Sequence, residues 1–380
     1  MQRKSASVMI VAGEASGDMY GAELATRILD AAPGTAICGM GGDRMREAGV
    51  ETLVDANTMA VMGLVEVLAH FPVIYRGFKL LQRRLEKDPP RLLVLIDYPD
   101  FNLRLAKVAK RAGVKVLYFV SPQVWAWRSG RVKGIGKVVD RMAVLFPFEV
   151  PYYERESIPV SFVGHPLVDM VHRTLSREDA VASLGLERGK PTVGLFPGSR
   201  RSEIEMLLPA ILESARLIRE KIPEVQFVLP LASSLRPEHL APYLDPFPLE
   251  IKVVPGRNHD VMSACDAVIS VSGTVTMELA LIGTPMVIIY KVSPLTYEIG
   301  KRVIKVDHIG ICNIVAGERV VKELIQHDAE PAAISAEIEK IIKDEAYAEK
   351  IRAGLATVRE KLGSGGALSR LAELALEMKD

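Results

Sequence analysis

Short apolar runs that stop at glycine or proline recur along this chain, and they leave few folds open to it. "SVMIVAG", "TAICGMGG", "RLLVLID", "KVLYFVSP", "RMAVLFPF" and "VSFVGHP" each have the length of one strand. Being apolar at consecutive positions, they suit strands covered on both faces of a parallel sheet. Helical patterns such as 18–31 and 101–112 fall between them, so the first part of the chain reads as strand–helix alternation of the doubly wound type. The alternation restarts at "PTVGLFPGSR" (191–200) and continues through "VQFVLPLA", "LEIKVVPG", "DAVISVSGT" and "TPMVIIY", which describes a second doubly wound sheet. From about residue 318 the chain is helical, broken by "GSGG" at 363–366. The 380 residues exceed what one core ordinarily supports. The expected division is an N-terminal domain over 1–168, a second domain over 169–345, and C-terminal helices over 346–380 packing back on the first. Two open sheets facing across a cleft bind ligands between them.

Composition removes several function classes. Lys and Arg (48) balance Asp and Glu (47) for a net charge of +1, which argues against bulk nucleic-acid binding and makes any anion site local. Cys38, Cys265 and Cys312 are odd in number and widely spaced, as in a reducing compartment, and read as buried apolar residues rather than metal ligands. The basic start leads into a short apolar stretch that meets acids instead of a small-residue cleavage site, so the expected location is the cytoplasm. No uninterrupted apolar run approaches the roughly 18 residues of a membrane-spanning helix.

The first strand-to-helix turn, "VAGEASGD" (11–18), has glycines at Gly13, Gly17 and then Gly21. That is not the G-x-G-x-x-G spacing which admits a pyrophosphate, and Glu14 and Asp18 would repel one. The nucleotide fits better in the second half. In "LFPGSRRSEIEMLLPAILESARLI" a strand ends at Phe196, Pro197-Gly198 turns the chain, and a long helix begins near Ser202. Its N-terminus with Arg200 and Arg201 makes an anion site, and Ser202 with Glu205 matches a capping box. In "DAVISVSGTVTMELALIGTPMVIIY" a strand delivers Ser272, Gly273 and Thr274 to another helix start, with Glu278 one turn inside. Backbone N–H groups there suit phosphates, and Glu278 suits paired ribose hydroxyls. The two elements converge on a nucleoside diphosphate, with no Walker lysine, H-E-x-x-H or D-x-D metal pair.

"VAGEASGD", "AVMGLVEVL", "IDYPDFN", "VSPQVWAWR", "FVGHP", "PGSRRSEIEMLLP" and "SGTVTMELA" together resemble the lipid-A-disaccharide synthase family, GT-B glycosyltransferases of family 19, over 11 to about 320. The resemblance implies two Rossmann-like α/β domains, no cofactor and no metal. It also implies transfer from UDP-2,3-diacylglucosamine to 2,3-diacylglucosamine 1-phosphate, giving a β-1,6-linked disaccharide and UDP. The nucleotide contacts expected are Gly198, Ser199, Arg200, Arg201, Glu203, Ser272, Gly273, Thr274, Glu278 and Asn313, Arg200 being catalytic as well. Gly13, Glu14, Ser16, Asp100, Trp125, Trp127, Leu68, Phe71 and Ile74 fall on the acceptor and lipid side. Cys312 stands where the family commonly has proline before its asparagine. The implied setting is peripheral, on the cytoplasmic face of the inner membrane, without nucleic acid; a homodimer is left open.

Three features keep two readings each. Asp97 ends the buried run "LLVLID" at a place for a base, with Asp100 three residues on as a helix cap or an alternative base; the resemblance favours Asp97. Trp125 and Trp127 precede Arg128, Arg131, Lys133 and Lys137 and suit either an acylated sugar phosphate or internal packing. The segment 61–87 is apolar through Leu64, Val65, Val67, Leu68, Phe71, Val73, Ile74 and Phe78, then basic through Arg76, Lys79, Arg83, Arg84 and Lys87, which suits a core helix or an interfacial one. His165 and His259 adjoin strand ends and read as structural. Two other functions share the architecture. A UDP-sugar 2-epimerase would need no lipid surface, and a non-enzymatic nucleotide-sugar binding protein would leave Asp97 without a role.

Overall fold

The computed structural model describes residues 7–56, 64–127, 129–232, 234–293, 296–298, 301 and 306–380. The chain divides into two compact units, Met1–Pro166 with Ser364–Asp380, and Leu167–Gly363. Each is built on one parallel sheet.

In the first unit the strands are β1 (Val8–Ala12), β2 (Ile37–Gly41), β3 (Glu51–Asp55), β4 (Leu92–Ile96), β5 (Lys115–Phe119), β6 (Arg141–Val144) and β7 (Val160–Phe162). Their order is β3-β2-β1-β4-β5-β6-β7, parallel throughout. Every residue of β1, β2 and β4 is buried, as consecutive apolar positions require of strands covered on both faces. The winding reverses between β1 and β4, where Ala12 is in register with Ile96. Gly13 and Asp97, next along each strand, therefore emerge side by side at the carboxyl edge, where open α/β sheets place ligands.

The second unit has β8 (Thr192–Phe196), β9 (Gln226–Leu231), β10 (Ile251–Pro255), β11 (Ala267–Val271), β12 (Met286–Tyr290) and β13 (Lys322–Ile325), ordered β10-β9-β8-β11-β12-β13. Its switch point lies between β8 and β11, and Phe196 is in register with Ser270. The turns that follow these two strands carry the two phosphate-suited sequence elements, so sheet pairing alone makes them neighbours.

Of the C-terminal helices, Glu345–Lys361 packs within the second unit on Val275–Ile282 and Ile311–Ala316. Only Ala367–Lys379 returns to the first, lying on Ala15–Ala31, with Arg370 Nε donating to the Val163 carbonyl at 2.9 Å. The helix Leu64–Lys87 is continuous through Pro72. Its later turns place Val73, Ile74, Phe78, Leu81 and Leu85 on the first unit's core, while Tyr75, Arg76, Leu80 and Arg83 are exposed. Ile74 thus follows the core reading. The side chains of Leu68, Phe71 and Trp127 lie outside the described residues.

A candidate nucleotide pocket and a strained acidic turn

In the second unit, Phe196 to Arg200, Glu203, Asn258, Ser272 to Val275 and Glu278 line one cavity of about 300 Å³. The helix Arg201–Lys221 starts at its wall, one residue earlier than expected, and this moves the capping box. Glu203 is the third helical residue and its Oε2 accepts the N–H groups of Ser199 (3.0 Å) and Arg200 (3.2 Å). Glu205 is instead paired with Arg201 at 3.1 Å, so Ser202–Glu205 is not the cap. Gly198 has φ +109°, and a Cβ there would lie 2.2 Å from Glu203 Oε2, so the carboxylate sits over a position only glycine can fill. Arg200 extends from this turn with its guanidinium 3.2 Å from Glu203 Oε1. Arg201 is largely exposed and points along the helix to Glu205, so the two arginines do not form one fork.

The opposite wall is the turn after β11. Helix Val275–Ile282 begins there, and the N–H groups of Thr276 and Met277 already donate to the Gly273 (3.1 Å) and Thr274 (2.9 Å) carbonyls. Thr276 Oγ1 donates to the Gly273 carbonyl at 2.8 Å, which braces the turn. Glu278 is half-buried in the wall and accepts a hydrogen bond from His259 Nε2 at 3.1 Å. Asn258 and His259 were not read as site residues; a single histidine after a strand carries no spacing that marks it. Asn313 does not line this cavity. It is fully buried, its Nδ2 donating to the Val321 carbonyl (2.9 Å) and Glu323 Oε1 (2.7 Å), its Oδ1 accepting from Val320 (2.9 Å) and Val321 (3.0 Å). That saturates the amide and spends it on loop structure.

In the first unit, Asp97 (φ +49°), Tyr98 (φ +48°) and Val120 (φ +64°) all occupy left-handed backbone at the ends of adjacent strands β4 and β5. Such conformations cost about 1–3 kcal/mol each and persist where surrounding contacts over-determine them. Those contacts are visible. The Asp97 carbonyl accepts from Tyr118 Oη at 2.6 Å and Asn102 Nδ2 at 2.7 Å, and the Asp97 N–H donates to the Phe119 carbonyl at 2.9 Å. The Tyr98 ring lies over Gly13, where a Cβ would come within 2.6 Å of the ring. The first glycine turn is therefore shaped to seat an aromatic ring. Asp18 is buried and accepts the N–H groups of Gly42 (2.5 Å), Arg44 (3.1 Å) and Met45 (3.2 Å), which ties the first helix to the turn after β2.

Burial, reinforced by the Glu14 carboxylate, pushes the Asp97 carboxyl up to about 6; the Tyr98 N–H works in the opposite sense. A carboxyl at that value is ionised at neutral pH yet basic enough to take a proton. Glu14 and Ser16 are exposed at the start of the first helix. Asp100 is exposed too, paired with Arg131 at 3.0 Å, and makes no cap bond. Half-buried Trp125 meets Phe148 edge-on, with ring centroids 5.4 Å apart. His165 is buried against Phe146, and burial lowers it to about 4, as for a structural imidazole. Since Asn102 holds both the Ile96 and Asp97 carbonyls from a fully buried position, Asn102→Ala is expected to cost about 1–3 kcal/mol of stability, read as a lower urea midpoint at unchanged slope.

Two parallel-sheet α/β units of this kind, with a phosphate-suited pocket at the switch point of the second, define the GT-B class of nucleotide-sugar enzymes. Solved structures agree on the fold. The UDP-GlcNAc 2-epimerase from Neisseria meningitidis bound to UDP-GlcNAc superposes with TM-score 0.64 at 16% identity, covering 97% of this chain and 99% of its own. The glycosyltransferase of kitacinnamycin does so with TM-score 0.64 at 15% identity, covering 98% of each. At sequence level the model of the lipid-A-disaccharide synthetase family matches residues 8–375. The lipid-A-disaccharide synthase of Geobacter sulfurreducens is 63% identical over 377 residues, 99% of this chain and 98% of that protein. The chain belongs to the lipid-A-disaccharide synthase family, glycosyltransferases of lipid A biosynthesis.

Proposed function

We propose that this protein joins UDP-2,3-diacylglucosamine to 2,3-diacylglucosamine 1-phosphate with inversion, forming the β-1,6 linkage and releasing UDP. The observation that carries the chemistry is Asp97, a carboxyl poised near 6 on a turn held by Tyr118 and Asn102. It takes the proton of the acceptor's 6-hydroxyl as that oxygen attacks the anomeric carbon of the donor. The bond from that carbon to the diphosphate breaks on the opposite face. Charge growing on departing UDP is met by the Arg200 guanidinium and the helix N-terminus at Thr274–Val275, without a metal. Glu278 holds the ribose hydroxyls. Gly13, Glu14, Ser16 and Trp125 stand on the acceptor side with Asp97. Incubating the protein with both acylated substrates and weighing the product by mass spectrometry tests substrate class and reaction together. Turnover of the UDP-sugar alone, without acceptor, would instead favour the epimerase reading.

The acceptor's acyl chains call for a lipid surface, and we place the protein peripherally on the cytoplasmic face of the inner membrane. Among the described residues no helix is long and apolar enough to cross a membrane. The supporting feature is the outward stripe of Tyr75 and Leu80 with Arg76 and Arg83 on Leu64–Lys87, apolar groups interleaved with cations. Each cation near an anionic surface adds about 1 kcal/mol, screened by salt. Replacing Tyr75 and Leu80 by serine is expected to reduce sedimentation with anionic vesicles while leaving UDP affinity unchanged. Wild-type sedimentation by the folded variant would remove this stripe from the membrane role.

A further inference from the structure

His259 touches the residue that reads the ribose. It lies in the helix Asn258–Ala264, which packs on Val275–Ile282, and its Nε2 is 3.1 Å from Glu278 Oε2. Glu278 and Asn258 also line a second cavity, of about 510 Å³, whose wall includes His172, Arg257, His259 and Asp260. Glu278 is thus a partition between two cavities, with one carboxylate oxygen taken by the imidazole.

We propose that His259 is a positioning residue that fixes the Glu278 carboxylate for the ribose hydroxyls, and that its protonation sets affinity for the nucleoside diphosphate. This rests on the reading of Glu278 as the ribose acceptor. A carboxylate on a flexible side chain must be ordered before it accepts two hydroxyls, and a bond to one oxygen supplies that order in advance. The imidazolium donates a charge-assisted bond and adds positive charge beside an anionic ligand. Neutral imidazole donates only in the tautomer with its proton on Nε2.

The groups facing His259 make Glu278 its dominant partner. In its own helix, Asp260 is engaged by Arg257 at 2.8 Å, and Arg257 is held by the Ser183 carbonyl (2.9 Å) and Oγ (2.8 Å) of the helix Arg177–Ser183. Across the second cavity, His172 has its Nε2 2.6 Å from the Asp169 carbonyl. From β9, apolar Leu231 reaches this cavity wall. The bond to Glu278 raises His259 above the ordinary imidazole range, against an opposing effect of partial burial. The charged form and its help are therefore present at low pH and are lost as pH rises through that raised value.

The test is calorimetric titration with UDP and 2′-deoxy-UDP from pH 6 to 9, on wild type, His259→Leu, His259→Gln and Glu278→Ala. His259→Leu is expected to weaken UDP about three- to tenfold at pH 6.5 and to narrow the preference for UDP over its 2′-deoxy form. His259→Gln, a donor that does not titrate, is expected to retain the ribose preference. The ratio of wild-type to His259→Gln affinity cancels titration of UDP's own phosphate, and should fall about threefold or more between pH 6 and 9. A flat ratio together with an unchanged ribose preference in His259→Leu overturns the proposal. Should His259→Leu fail to fold, the His259→Gln ratio decides by itself. Full UDP affinity in Glu278→Ala, or no UDP binding by wild type, refutes the ribose reading; a weak Glu278→Ala beside a wild-type-like His259→Leu refutes only the role of His259.

Discussion

Asp97→Asn is expected to lower kcat by about 10²- to 10⁴-fold while leaving the fold intact. The substitution is chosen for the backbone. Asp97 sits at φ +49°, which asparagine adopts more readily than alanine, so Asn removes the base without adding strain. The restraints on that residue act through its main chain, on the carbonyl held by Tyr118 and Asn102, and survive the change. The wild-type pH profile carries the same information. Because the carboxyl stands near 6 and must be ionised to accept a proton, kcat/KM should fall tenfold per pH unit below about pH 6, and the limb should vanish in Asp97→Asn. Stability has the opposite sign. A carboxyl raised above its unfolded value of 3.8 costs free energy as it ionises, so the folded state loses stability as pH rises from about 4 through 6, by at most roughly 1.4 kcal/mol for each pH unit crossed. Retained turnover in Asp97→Asn would transfer the base role elsewhere, and Asp100, exposed and paired with Arg131, would be the next residue to test.

Arg200→Ala is expected to cost about 10²- to 10³-fold in kcat, on the order of 3–4 kcal/mol, because it removes a donor held ready for the charge developing on UDP. Arg200→Lys should recover little of this, since a point charge lacks the planar fork. The resting contact with Glu203 sharpens the expectation. That carboxylate shares the guanidinium and caps the turn, so Glu203→Gln should keep the turn's N–H bonds in part yet alter the donor's KM. Chelators should leave the rate unchanged; EDTA inhibition reversed by Mg²⁺ would show that a metal takes part. Near-normal turnover in Arg200→Ala would end the assignment.

Much of this was legible in the residues themselves. Consecutive apolar positions bounded by glycine and proline specify buried parallel strands because only a sheet covered on both faces hides every side chain of such a run, and two series of them mean two sheets. Asp97, Gly198, Arg200 and Gly273 stood out as candidates because they lie in the turns after those runs, at the strand ends where doubly wound folds bind ligands, and Glu278 because it falls one turn into the helix that follows. What the sequence could not decide was anything that depends on which distant segment lies alongside. Glu203 rather than Glu205 caps the long helix because its true first residue is set by how the turn leaves β8. Asn313 looked like a ligand residue, but the return of the chain at 320–323 consumes its amide. The spacing around Gly13 spoke against a phosphate loop, but only β1–β4 pairing shows the Tyr98 ring lying over it. His259 had no pattern to mark it, and its bond to Glu278 exists only because two helices pack across the switch-point turn. Strand and helix formation are local and repeat along the chain, so periodicity records them. Hydrogen-bond partners and ring contacts 8, 19 or 85 residues apart are chosen by the packing of whole elements, and no periodicity records that choice.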